Sequence, residues 1–168
     1  ISNPVVNPDT TTKYFVLGTD TNSCSNIDSI DIFINQLPTI NVSNDTSLCF
    51  GDTIKITANG GSIYQWLNPN SISDQNTNSP DIWPNSSSLY SVVVTNDNNC
   101  SDTASIDIVV NQLPTIDAGD DQDICFGDSS SLNALGDAED YSWNNDIVNG
   151  QLFQVNNSQE YILTGTDI

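Results

Sequence analysis

The chain has 168 residues, of which 22 are acidic and only two, Lys13 and Lys55, are basic, so its formal net charge is −20. This charge repels polyanions, which excludes nucleic acid and anionic membrane surfaces as favourable partners. An apolar share of 36% still provides for small folded cores. No apolar run is long enough to cross a bilayer, so we expect no membrane insertion.

One hexapeptide, Asn-Gln-Leu-Pro-Thr-Ile, occurs at Asn35–Ile40 and again 76 residues later at Asn111–Ile116. The cysteines keep the same spacing, Cys24 with Cys100 and Cys49 with Cys125. The spacing predicts tandem modules of about 76 residues. We divide the chain into a first repeat (residues 1–36, the C-terminal part of a preceding module), a second repeat (37–112, a complete module) and a third repeat (113–168, a module without its last strand).

The first repeat reads as two strands joined by a polar turn. Alternating apolar residues predict a strand at 13–20 and a closing strand at 29–35, with Ile30, Ile32 and Ile34 on one face. The turn between them, at 20–26, carries Cys24.

The second repeat contains no sustained helical periodicity and is predicted to be all β. Its short apolar runs, separated by Asn, Asp, Gly and Ser clusters, predict strands at 40–42, 47–50, 53–59, 62–66, 81–84, 89–96 and 103–111. The runs 40–42 and 47–50 form one broken first strand, so Trp66 ends the third strand. This Trp and Tyr90, which opens the penultimate strand, are typical of an immunoglobulin-like or PKD-like β-sandwich. Tyr90 is either a tyrosine corner or a plain core aromatic.

The third repeat follows the same scheme, with strands predicted at 123–126, 130–135, 141–143, 152–155 and 160–165. It stops before a final strand, which would leave an exposed sheet edge. Either the true chain continues, which we favour, or a neighbouring molecule supplies the strand.

Several motifs together resemble a known family. They are the Cys-x-Gly-Asp sequence within Asp117–Asp128, Trp66 followed by Pro69, the Ser-rich run from Ser86 into Tyr90, Cys100 in the last turn and a closing Leu-Pro. This pattern is similar to the immunoglobulin-like and PKD-like repeats of large secreted adhesins of the Bacteroidota. The resemblance implies export by the type IX route, an extracellular or cell-surface location, and a role as a stalk or a gliding-motility type of adhesin.

The four cysteines fit disulfides or metal ligands. The chain has no Cys-x-x-Cys and no His, so disulfides are favoured, and these place the protein outside the cytoplasm. A bond within the second repeat would join Cys49 to Cys100, while Cys24 and Cys125 pair outside the sequence. A staple between neighbouring modules is the alternative, because in a simple sandwich Cys49 and Cys100 sit at different ends.

An acidic cluster beside the second hexapeptide, formed by Asp117, Asp120, Asp121 and Asp123, could bind calcium through carboxylate oxygens. No stretch has the spacing of an EF-hand loop, so solvated acidic turns are favoured. No other cofactor is expected.

Catalysis is not expected, because the chain has no His, no nucleophile elbow and no phosphate-binding loop. Trp66 and Trp143 are predicted to be core residues. Trp83 is the candidate for stacking on a sugar, although burial under the neighbouring loop is favoured. Asp-Thr and Asp-Ser pairs resemble O-glycan acceptors of the same bacterial group, at Thr10, Ser29, Thr53 and Thr103.

These observations predict a mechanical function, in which the modules act as a stalk, spacer or fibre-forming array. The alternative is a carbohydrate-binding module. The expected partners are neighbouring modules, other copies in a filament, or a surface polysaccharide. Pro38 and Pro114 make the hexapeptide a short stiff coupling, with the leucine before each proline and the isoleucine two residues after it available to pack across the junction.

Overall fold

The computed structural model describes residues 3–67 and 70–167. Every regular element in these ranges is a β-strand, so the all-β prediction is confirmed. The same ranges hold no helix that could span a membrane. Pro69, which the sequence motif includes, lies outside the described residues.

The first repeat forms an antiparallel hairpin of β1 (Thr12–Thr19) and β2 (Ser25–Ile32), with Thr12 opposite Ile32. β2 begins earlier than the predicted position 29. The reason is the turn: the Asp20 carboxylate accepts hydrogen bonds from the N–H groups of Asn22 (2.8 Å) and Cys24 (2.9 Å), and this closes the turn at Cys24.

The described residues of the second repeat form eight strands in three hydrogen-bonded sets. One sheet has four strands in the order β4-β10-β9-β7, and the other pairs are β3 with β6 and β5 with β8. The strands are β3 (Asn41–Val42), β4 (Thr46–Cys49), β5 (Ile54–Lys55), β6 (Ala58–Asn59), β7 (Ile63–Trp66), β8 (Asp81–Ile82), β9 (Ser88–Thr95) and β10 (Ser101–Asn111).

β4 runs in the same direction as β10, unlike the antiparallel pairs around it. The Asp45 carboxylate, just before β4, accepts from the N–H of Asp107 at 2.8 Å. Just after β4, the N–H of Phe50 donates to the carbonyl of Asn111 at 2.8 Å. Residue numbers therefore increase in the same direction along both strands, from Asp45 to Phe50 and from Asp107 to Asn111, which makes the pair parallel.

The core of the second repeat lies on the inward face of β9 and β10. In the central part of β9 and the C-terminal half of β10, every second residue is buried, as the alternation predicts. From β9 they are Tyr90, Val92 and Val94, and from β10 they are Ile106, Ile108 and Val110. The facing strands contribute Leu48, Ile56, Ala58, Trp66 and Ile82.

The single strand predicted at 53–59 is two strands. β5 pairs with β8, whereas β6 pairs with β3, so the chain changes hydrogen-bonding partner between Lys55 and Ala58. Its side chains nevertheless alternate as predicted, with Ile56 and Ala58 buried.

The third repeat repeats three of these pairings. Its strands are β11 (Ile116–Asp117), β12 (Ser129–Ser131), β13 (Leu135–Gly136), β14 (Asp140–Trp143), β15 (Leu152–Gln154) and β16 (Leu163–Thr166), paired β11–β13, β12–β15 and β14–β16. The strand predicted at 123–126 does not form. The corresponding β4 pairs with β10, whereas no strand among the described residues up to 167 pairs with 123–126.

The registers of the repeats correspond residue by residue. Thr12 lies opposite Ile32 in the first repeat, and Ser88, 76 residues later, lies opposite Ile108 in the second. Asn41 pairs with Asn59, and the equivalent Asp117 pairs with Leu135. An A–B–E set (β3, β6, β5, β8) and an A′–G–F–C sheet (β4, β10, β9, β7) define an immunoglobulin-like β-sandwich.

The chain divides into two compact units. The first consists of Ile1–Thr46 with Thr53–Ile108, and the second of Ser47–Asp52 with Val109–Ile168. The turn that contains Cys49 therefore belongs to the same unit as the second hexapeptide and the third repeat.

We expect Gly60→Ala to destabilise the protein by about 3 kcal/mol or more, because it combines two penalties. Gly60 has a φ of +119°, and a Cβ there would lie 2.1 Å from the backbone oxygen of Thr39. The matched control is Gly51→Ala, where φ is +92° and no atom lies within 4 Å of the added Cβ. The control should cost only the left-handed backbone term, about 1–2 kcal/mol. Equal losses in urea unfolding would show that the β3–β6 approach is not as close as described.

Candidate functional site

The candidate site is the junction segment, a name we give to Asn35–Ile40 and to its copy Asn111–Ile116. In the first junction segment Pro38 is buried, whereas Leu37 is 59% exposed. Leu113 is likewise 59% exposed. The prediction that the leucines pack across the junction is therefore wrong. Pro38 is buried instead, Pro114 is half-buried, and both leucines are exposed.

The hairpin turn between β9 and β10 lies directly on the first junction segment. The side-chain amide of Asn96 donates from Nδ2 to the carbonyl of Gln36 at 2.9 Å. The Sγ atom of Cys100 lies 3.8 Å from the carbonyl of Asn35. The junction is thus tied to the following sandwich by side chains as well as by the chain itself.

The same turn is held together by the other end of the Asn96 side chain. Its Oδ1 accepts from the N–H groups of Asn98 (3.0 Å) and Cys100 (3.1 Å), and Asn99 adopts a φ of +58°. Asp20 plays the acceptor role in the first repeat. A carboxylate can accept but cannot donate, so only the Asn96 turn can also bond to a carbonyl such as that of Gln36.

The second junction segment is contacted from the preceding repeat. Cys49 and Asp52 close a tight turn, with the N–H of Asp52 donating to the Cys49 carbonyl at 3.1 Å and Gly51 at a φ of +92°. Phe50, between them, donates its N–H to Asn111, the first residue of the second junction segment.

All four cysteines are free thiols in the structure. Cys100 directly precedes the first residue of β10, whereas the turn at Cys49 meets the last residue of β10. An 11-residue strand is roughly 33 Å long, and bridged Cα atoms lie within about 7 Å of each other. This arrangement does not allow the predicted bond between Cys49 and Cys100.

Asp137 fastens the second junction segment at Thr115. Its Oδ1 accepts from the Thr115 hydroxyl at 2.8 Å and from the Thr115 N–H at 2.6 Å. These two hydrogen bonds, that of the hydroxyl first, hold the pKa of Asp137 below its usual value of 3.8. In the second repeat the equivalent position is Gly61, so this contact is particular to the third repeat.

The predicted calcium ligands are not brought together. Within residues 3–67 and 70–167, no group of three or more His, Cys, Asp or Glu is placed to hold a metal ion. The Asp117 carboxylate instead accepts from the N–H of Gly119 at 2.9 Å, which makes a local turn.

The tryptophans divide into two kinds. Trp66 and Trp143 are 1% and 7% exposed, as predicted for core residues. Trp83 is 43% exposed, so the expected burial of this side chain is wrong. The residues predicted to carry O-glycans all lie at exposed positions, namely Thr10, Ser29, Thr53 and Thr103.

The core of the third repeat is open on the side where β10 lies in the second. A cleft of about 580 Å³ is lined by Ile124, Trp143, Phe153 and Tyr161, among others. Ile124 is 36% exposed, whereas its equivalent in the second repeat, Leu48, is 9% exposed. The cleft therefore occupies the space that β10 fills in the second repeat.

Comparison with known proteins gives matches among solved structures but none by sequence. No protein-family model matches the chain, and no curated protein matches its sequence. Among solved structures 39 chains match. One is the crystal structure of the titin domains Z1Z2 in complex with telethonin, with 14% identity and a TM-score of 0.34 over 80% of this chain and 85% of that chain. So low a TM-score supports no argument about function, and the fold assignment rests on strand order and register.

Stability should fall more steeply in acid for the native chain than for Asp137→Asn. A carboxyl whose pKa is lower in the folded than in the unfolded state stabilises the fold above the unfolded pKa, and this contribution is lost as the pH falls through the folded value. We expect the melting temperatures of the native chain and of Asp137→Asn to converge as the pH falls from about 5 towards 2. The difference at about pH 5 should be small, because the carboxylate is exposed and screened by solvent. Asp121→Asn removes the same charge in the same unit and is the control. Parallel pH profiles for the native chain and Asp137→Asn would contradict the Thr115 contact.

Proposed function

We propose that this chain is a non-catalytic structural segment, an array of immunoglobulin-like repeats in which each junction is held by the repeat that follows it. The observation that carries the proposal is the hairpin turn on the first junction segment. Pro38 is buried, and Asn96 bonds to the carbonyl of Gln36. A linker that is fixed at a buried proline and at a neighbouring carbonyl has little conformational freedom. The segment therefore sets the orientation of one repeat relative to the next.

We further propose an extracellular setting, as a stalk, spacer or fibre-forming segment of a surface adhesin. The sequence motifs and the exposed cysteines support this setting, since exposed thiols pair in oxidising compartments. The distributed charge of −20 supports a hydrated surface that repels other copies except where they fit closely. Neighbouring repeats are then the principal partners, and any adhesive surface lies elsewhere.

The spacer function predicts a narrow range of orientations across the first junction segment. Spin labels introduced by a genetically encoded amino acid at Asp28 and Asp107, both exposed and in the first unit, should give a narrow distance distribution in pulsed electron resonance. Asn96→Asp should broaden it, because the acceptor that holds the turn is kept while the donor to Gln36 is lost.

Asn98→Asp makes the same chemical change in the same turn and should leave the distribution narrow. Four residues, Gly-Ser-Gly-Ser, inserted between Leu37 and Pro38 provide the flexible reference. A native distribution as broad as that of the inserted chain would refute the spacer function.

A second candidate, a carbohydrate-binding module, is favoured by the exposure of Trp83. An indole with 43% of its surface exposed is available to stack on a sugar ring. In affinity electrophoresis against acidic and neutral polysaccharides, Trp83→Ala should then weaken retardation about tenfold or more. Phe50→Ala removes a ring of similar exposure, 42%, and should have no effect. Absence of retardation of the native chain on every polysaccharide would eliminate this candidate.

A further inference from the structure

The side chain of Cys100 and the turn that contains Cys49 contact the same backbone position in the two copies of the junction segment, the carbonyl of its first Asn. In the first junction segment, the Sγ atom of Cys100 lies 3.8 Å from the carbonyl of Asn35. In the second, the residue after Cys49 donates its N–H to the carbonyl of Asn111 at 2.8 Å. Asn35 and Asn111 are the same residue of the repeated hexapeptide. The turn that contains Cys49 and the side chain of Cys100 therefore contact equivalent carbonyl groups.

The two cysteines reach this carbonyl from opposite sides of the junction. Cys100 belongs to the repeat that follows its junction segment, and Cys49 belongs to the repeat that precedes its own. Where a complete repeat lies on each side, the backbone N–H next to Cys49 and the Sγ atom of the hairpin-turn cysteine would both contact this carbonyl. Within one repeat they are separated by the whole of β10. We propose that Cys49 forms a disulfide with the hairpin-turn cysteine of the following repeat, the equivalent of Cys100.

This pairing accounts for the four free thiols. Cys100 belongs to the first junction segment and Cys49 to the second, so they are not partners. Cys24 occupies the position of Cys100 in the first repeat and Cys125 that of Cys49 in the third. In the proposed array each would lie at a different junction of the same kind. No two of the four cysteines share a junction.

The local structure prepares both thiols for the reaction. Cys49 is exposed at the end of a strand, and Cys100 is partly exposed at a turn fixed by Asn96. With a small-molecule disulfide such as oxidised glutathione as the oxidant, the Cys49 thiolate attacks one sulfur and releases one reduced glutathione. The thiolate of the turn cysteine then attacks the Cys49 sulfur and releases the second. Two thiols lose two protons and two electrons, and one glutathione disulfide is reduced.

The bond would span the junction segment beside its proline. It crosslinks the end of β4 in one sandwich to the hairpin turn of the next. The two sandwiches are then joined by a second covalent connection besides the junction segment, which restricts bending there. The inference rests on the proposed array of repeats. Its test therefore needs separate readouts for the arrangement of the repeats and for the disulfide.

The probe is a synthetic peptide with the sequence of residues 97–112, which contains the hairpin-turn cysteine and the strand β10. Because the third repeat has an open cleft where β10 lies in the second, the peptide should dock there and raise the melting temperature of the full chain. Its cysteine should then lie beside Cys49. In a glutathione redox buffer, peptide mapping should find the peptide on Cys49 at least about tenfold more often than on Cys125.

Cys125 is the matched control within the same molecule. It has the same Cys-Phe-Gly-Asp sequence, it is exposed, and its turn is closed in the same way, with Asp128 N–H to Cys125 carbonyl at 3.0 Å. A peptide carrying Ile106→Asp and Ile108→Asp should neither dock nor select Cys49. A peptide with Cys100→Ser should dock without crosslinking.

A peptide that docks but reacts equally with Cys49 and Cys125 overturns the disulfide and leaves the array intact. A peptide that does not dock counts against the array arrangement, and the disulfide is then decided by a chain with residues 98–112 appended after Ile168. In that chain a single disulfide between Cys49 and the appended cysteine supports the proposal. Any other pairing, or five free thiols, overturns it.

Discussion

The alternating apolar face of β9 and β10 is the constraint on which the rest of the structure depends. In the second repeat this face is covered by the opposite strands, and Val92, Ile106 and Ile108 are fully buried. Burial of one such side chain contributes about 1.5–3 kcal/mol. The hairpin of the first repeat has the same register, yet Ile30, the equivalent of Ile106, is 62% exposed. The third repeat has the opposite strands without β10, and its core opens into a cleft. Register is therefore set locally by the turn, whereas burial requires all strands of a sandwich.

This distinction explains what the sequence could predict. Alternation alone identified the buried set Ile106, Ile108 and Val110, because a strand with one covered face has a period of two. Alternation carries no information about which strand supplies the hydrogen bonds. The run 53–59 was therefore predicted as one strand although it pairs with two partners, and 123–126 was predicted as a strand although no strand of the described residues pairs with it. The early start of β2 depends on side-chain acceptance by Asp20, which apolar periodicity does not register.

The candidate site was predictable in place but not in its contacts. Exact repetition of the hexapeptide marked the junction, and the fixed φ of proline indicated a stiff connection. Hydrophobicity then favoured Leu37 as the packing residue, whereas the structure buries Pro38 and exposes the leucine. The contacts that hold the junction come from Asn96 and Cys100, some 60 residues along the chain. Residues that are distant in sequence and polar in character give no periodic signal, so no reading of the hexapeptide alone could find them.

The side chain at the start of the hairpin turn can close the turn and can also bind the junction segment, and the two roles need different chemical groups. Closing the turn needs only an acceptor, which both Asp20 and Asn96 provide. Holding the junction needs a donor as well, and a carboxylate in the place of Asn96 would turn an oxygen towards the carbonyl of Gln36. A repeat with Asp at this position thus keeps its fold and loses a non-covalent tie to its junction. A cysteine at the end of the same turn is common to both versions, since Cys24 follows Asp20 as Cys100 follows Asn96. A covalent tie through that cysteine would make coupling between repeats independent of whether the turn carries an amide or a carboxylate.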